Sequence, residues 1–86
     1  MMTPREEFGE YLRLKRVEAG LTQKQVSDKL KLKSPQSISN VERGLAPAPI
    51  KMLKVLIQMY RIDEGEILHR LIALQVDQLE RQLYGT

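Results

Sequence analysis

Eighty-six residues, 10.0 kDa in all, provide for one small domain, and 42% hydrophobic with 29% charged residues can support a core rather than a disordered chain. With no cysteine and a single histidine, disulfides, thiolate metal sites and a self-contained zinc site are excluded. The net charge is +3, and no apolar run approaches the roughly 18 residues a membrane span needs.

Helix start and stop signals divide the chain into five segments. Thr3-Pro4-Arg5-Glu6 reads as an N-cap, a proline at the first helical position and a glutamate closing a capping box. The first helix then runs through Phe8, Leu12 and Arg16 to Gly20, a left-handed stop. Thr22-Gln23-Lys24-Gln25 is a second capping box, opening a helix whose Val26 and Leu30 are spaced to face a core. A short connection, Lys31 to Lys33, leads to Ser34-Pro35-Gln36-Ser37, which opens the third helix, and Gly44 ends it. Pro47 and Pro49 punctuate a loop before a fourth helix carrying Leu53, Leu56, Ile57 and Tyr60. Asp63 and Glu66 form a third box, and the fifth helix extends to Tyr84. Ile67, Leu68 and Leu71 are expected to close over the first and fourth helices. No period-2 alternation persists, so the fold class is all-α.

Charge is uneven along the chain. Residues 13–33 hold seven basic side chains against two acidic ones, whereas residues 55–86 hold three against five. This asymmetry points to one polyanion-facing side; read alone, it is more often a solvated lysine-rich surface. The four aromatics (Phe8, Tyr11, Tyr60 and Tyr84) do not form the stacking series of a single-strand binder. Tyr11 and Tyr60 read as packing at the edge of the core.

Two short capped helices joined by a tight turn can place the second in a major groove. Leu21-Thr22-Gln23 with Val26 and Leu30, then Ile38-Ser39-Asn40-Val41-Glu42-Arg43-Gly44, resembles the phage-repressor-like helix-turn-helix family, also called XRE or Cro-like. Arg16 in the first helix fits the same pattern, and the likeness covers about residues 8–68. It implies a five-helix, lambda-repressor-like DNA-binding domain with an extended C-terminal helix. The family usually has a glycine early in the turn. Here Lys31-Leu32-Lys33-Ser34 occupies that region, one residue longer than the common spacing, and Pro35 sits at the first position of the reading helix.

On the third helix, Ile38 and Val41 point inward, while Gln36, Ser39, Asn40 and Arg43 share the opposite side as candidate base readers. Gln36 and Asn40 carry paired donors and acceptors that suit the N6/N7 edge of adenine. Arg43 suits guanine O6/N7 or a phosphate, and Ser39 serves either way. Gln23, at a helix N-terminus, is a candidate phosphate contact, as are Lys33, Ser34 and Lys51. The resemblance further implies an ion pair between Arg16 and Glu42 that fixes the reading helix. His69 has no ligand-spaced neighbours, so neither a metal nor a cofactor is expected.

Residues 1–70 are assigned to the DNA-binding domain and 71–86 to a C-terminal helical extension. In the extension Ile72, Val76, Leu79 and Leu83 follow a 4-3-4 spacing, the seam of a candidate dimer interface. The alternative is a stripe folded back on its own domain.

The expected function is that of a dimeric transcription regulator, such as a repressor, binding double-stranded DNA at an inverted repeat. It would have no enzyme activity, because no nucleophile–base pair or P-loop is present. With no apparent signal peptide, a cytoplasmic location is expected, with a homodimer and a regulatory protein as potential partners. Phage repressors, controller proteins of restriction–modification systems and antitoxins all fit the resemblance. The rival class is a helix-turn-helix module that binds protein, with little direct DNA reading.

Overall fold

The computed structural model describes residues 1–85, and those residues are all-α. In chain order the helices are α1 (Pro4–Glu18), α2 (Gln23–Lys29), α3 (Gln36–Glu42), α4 (Ile50–Tyr60) and α5 (Glu64–Tyr84). Two starts are set by reciprocal capping. Thr3 accepts from the Glu6 amide at 3.1 Å while its own amide donates to the Glu6 carboxylate at 2.8 Å. Thr22 and Gln25 repeat the arrangement at 3.1 and 2.8 Å. Each box satisfies amides that the first helical turn leaves without a partner. Gly20 and Gly44 adopt φ of 74° and 75°, reversing the chain after α1 and α3.

The expected third box is only half formed. Asp63 accepts from the Glu66 amide at 3.0 Å, but the Glu66 carboxylate turns to α1 instead. There it accepts from the Tyr11 hydroxyl and pairs with Lys15 Nζ at 3.1 Å. Two donors, one of them cationic, compete successfully with one backbone amide. Arg70, one turn further on, lies 4.5 Å from the centre of the Tyr11 ring. These contacts tie α5 along α1.

All five helices contribute to one core. Leu12, Val26, Ile38 and Leu56 are each 2% exposed or less, and Phe8, Val41, Leu53, Tyr60, Ile62 and Ile67 surround them. Burying each large aliphatic side chain contributes about 1.5–3 kcal/mol. The expectation for Leu68 fails, since it is exposed, whereas Ile67 is buried and Leu71 and Leu74 pack against the core. Residues 67, 71 and 74 follow the helical repeat along one face, and residue 68 lies about 100° around from it.

Candidate nucleic-acid interface

The α2–α3 connection spans Leu30 to Pro35, longer than the expected Lys31–Lys33. Lys31 takes φ of 58°, the left-handed conformation that glycine would adopt freely. The turn is closed by Lys31 N donating to Asp28 O at 3.0 Å and Leu32 N to Ser27 O at 2.9 Å. Leu32 then packs back against the core. Pro35 has helical dihedrals but occupies the cap position and not the first helical position. The Ser34 hydroxyl, one residue before the cap, accepts from the Gln36 amide at 3.3 Å.

α3 has two chemically opposed faces. Ile38, Val41 and Glu42 are buried, Gln36 and Arg43 are exposed, and Ser39 and Asn40 are half-buried. The polar side chains on the open face are linked. Asn40 Oδ1 accepts from Gln36 Nε2 at 2.8 Å and from Arg43 Nη2 at 3.1 Å.

The buried end of α3 is held by a charge cluster. Glu42 receives Arg16 Nε at 2.7 Å and Nη2 at 3.1 Å, and Gln23 Nε2 at 2.9 Å. Arg16 Nη1 also donates to the Leu21 carbonyl at 2.8 Å. The two side chains are therefore largely withdrawn from water but multiply hydrogen-bonded, which offsets the cost of burying them. Gln23, expected to face a phosphate, has an amide hydrogen committed to α3. Among the described residues, the buried Tyr60 hydroxyl has no hydrogen-bond partner. Burial pushes its pKa upward, the nearby Glu42 charge adding to the shift.

Gly9 is a positioning residue that sequence reasoning passed over. A Cβ at this position would lie 2.5 Å from the carbonyl oxygens of both Val41 and Glu42. Glycine thus lets the α1 backbone rest on the last turn of α3. An isolated glycine inside a helical pattern, as in Phe8-Gly9-Glu10, was the available signal.

The structure also sorts the basic cluster of residues 13–33. Arg13 pairs with Glu10, Lys15 with Glu66, Arg16 with Glu42 and Lys24 with Asp28. Among the described residues, Lys29, Lys31 and Lys33 form no ion pair, and all three are exposed. They gather between the end of α2 and the start of α3. Ser34 is exposed beside them, and Lys51 is exposed in the first turn of α4.

Residues 12–67, more than half the chain, match the family model described as Helix-turn-helix. The chain belongs to the XRE-like helix-turn-helix family. No curated protein and no solved structure matches it. In XRE-like terms, α2 and α3 are the two helices of the motif, and the five-helix fold is lambda-repressor-like. The family is one of DNA-binding regulators and not typically of enzymes. Among the described residues, no helix is long and apolar enough to cross a membrane.

On α5 the side chains proposed as a seam are open: Ile72, Val76, Leu79 and Leu83 are 62%, 47%, 48% and 71% exposed. Leu68 extends the stripe toward the helix N-terminus, and His69 beside it is exposed.

Proposed function

We propose that this helix-turn-helix protein is a sequence-specific regulator of transcription that binds double-stranded DNA as a dimer on an inverted repeat. The observation that carries this reading is the opposed faces of α3. Its inner face is clamped to α1 and α2, leaving Gln36, Ser39, Asn40 and Arg43 on the other side. Those four side chains meet base edges in the major groove. Lys33 and Ser34, before α3, and Lys51, on α4, meet phosphates and set register. Gln23 adds a phosphate contact through its remaining donor capacity while bracing Glu42.

Residues 1–70 act as the DNA-binding unit, and the segment 71–86 supplies the dimer contact; Thr86 lies outside the described residues. The exposed Ile72, Val76, Leu79 and Leu83 are an apolar stripe whose burial against a second copy would pair two reading helices. Two readers about 34–36 Å apart match successive major grooves. Regulation then follows from the protein's own concentration or from a regulatory protein partner, in the cytoplasm.

Selection of bound sequences from a random duplex pool, followed by a salt titration on the selected site, tests this reading. A palindromic motif, with affinity falling steeply as salt rises, is the expected result. Binding without salt dependence or motif would instead favour a protein-interaction module.

A further inference from the structure

Asn40 sits mid-way along the open face of α3, and its amide oxygen already accepts two hydrogen bonds. Gln36 donates from one turn earlier at 2.8 Å, and Arg43 from one turn later at 3.1 Å. An amide oxygen offers two lone pairs, so its accepting capacity is filled. The amide cannot be turned over without loss, because the Arg43 guanidinium donates and never accepts. What Asn40 retains for a ligand is Nδ2, two N–H donors and no acceptor.

We infer that Asn40 recognises guanine, through O6 and N7, and not the adenine edge that an isolated asparagine suits. The adenine edge presents an N6 donor beside its N7 acceptor, and that donor would face another N–H. Thymine offers one acceptor beside a methyl group. Guanine presents two adjacent acceptors and matches a donor-only group. The neighbours differ in what they retain. Gln36 keeps one N–H and its carbonyl oxygen and so still fits adenine, while Arg43 keeps four N–H donors. The linked trio therefore reads as one acceptor-bearing residue followed by two donor-only ones. This inference rests on α3 reading the major groove.

The test uses the full chain and the motif selected from a random duplex pool. Selection is repeated with Asn40→Ala to find the base pair that depends on Asn40. At that pair, guanine should be replaced by 7-deazaguanine, which lacks N7, and separately by inosine, which keeps O6 and N7. The expected result is a guanine there, a loss of about five- to 100-fold with 7-deazaguanine, and little change with inosine. Asn40→Asp preserves an acceptor for Gln36 and Arg43 but removes the donors, so the selected base should move from guanine to cytosine. The 7-deazaguanine measurement is made on the wild-type protein and holds even if Asn40→Asp binds too weakly for selection. An adenine or thymine at the Asn40-dependent pair, a motif without guanine, or indifference to 7-deazaguanine overturns the inference while leaving DNA reading by α3 intact. A protein that binds duplex DNA with no motif at all removes the reading on which it rests.

Discussion

Gln23, the first residue of α2, and Glu42, the last of α3, are joined by a 2.9 Å hydrogen bond onto the carboxylate oxygen that also takes Arg16 Nη2. One carboxylate therefore gathers three helices. It receives a cation from α1 and an amide from α2, and it fixes the end of α3 by its own backbone. Position and orientation of α3 are coupled through a single side chain.

Gln23→Ala is expected to weaken binding to every duplex while leaving the preferred motif unchanged. Loss of the Glu42 contact should also lower stability by about 1.5–3 kcal/mol, the range for a hydrogen bond to a charged group. The slope of log affinity against log salt should stay the same, because Gln23 is neutral. Lys33→Ala should reduce that slope by about one unit. Fluorescence anisotropy across a potassium chloride series distinguishes the two.

Arg16→Met should destabilise by about 3–5 kcal/mol, because it strands the buried Glu42 carboxylate. Adding Glu42→Leu should recover much of that loss, since two apolar groups replace two desolvated charges. Urea denaturation of the single and double variants measures the recovery. Affinity for DNA should recover less than stability, because Gln23 then has no partner on α3.

Tyr60→Phe should leave stability unchanged or raise it by about 1 kcal/mol. The hydroxyl is buried without a partner, so removing it deletes a desolvation cost and no hydrogen bond. A clear drop in thermal midpoint would mean that the hydroxyl has found a partner near Glu42.

Lys31→Gly is expected to stabilise the domain by about 0.5–1 kcal/mol. Relief of the left-handed strain at φ 58° exceeds the extra backbone entropy glycine brings to the unfolded chain. Lys31→Val, branched at Cβ, should do the opposite. Calorimetric unfolding of both variants gives the sign.

The α1–α5 tie should fail in acid. The Tyr11 hydroxyl and then Lys15 hold the Glu66 carboxyl below its ordinary value of 4.5. A lowered folded-state pKa contributes stability above the unfolded value, and that contribution is lost as pH falls through the folded one. The thermal midpoint of the wild type should therefore approach that of Glu66→Gln as pH falls below about 4.5. A gap between the two that stays constant down to pH 3 would count against the tie.

Much of this architecture was legible because caps and glycines act locally. Thr3, Thr22, Gly20 and Gly44 announce helix ends through chemistry that needs only three or four neighbours. Local rules missed the outcome wherever a distant residue competed. Glu66 abandoned its capping role because Tyr11 and Lys15, fifty residues earlier, offer better donors. Leu68 looked as suitable for the core as Leu71, and only the direction of the Ile67 face separates them. Of the residues put forward for DNA contact, Gln36, Asn40 and Arg43 share a face as their spacing predicts. Their mutual hydrogen bonds, which alter what each can offer a base, follow from side-chain rotamers that spacing does not specify. Likewise, seven basic residues in one stretch could be counted, but the pairing of Lys15 with Glu66 and of Arg16 with Glu42 depended on the tertiary arrangement.

Gly9 brings the α1 backbone against the carbonyls of Val41 and Glu42 with no side chain between them. α3 therefore rests on a hard stop rather than on an adjustable cushion of side chains. In most helix pairs, exchanging a larger contact residue for a smaller one changes the tilt by small steps; here no smaller residue exists, and any larger one meets main-chain atoms. With α3 as the proposed reader, changing the preferred DNA sequence of this scaffold would be a matter of replacing residues on its open face. Re-aiming the helix from beneath would break the domain before it changed its choice of base.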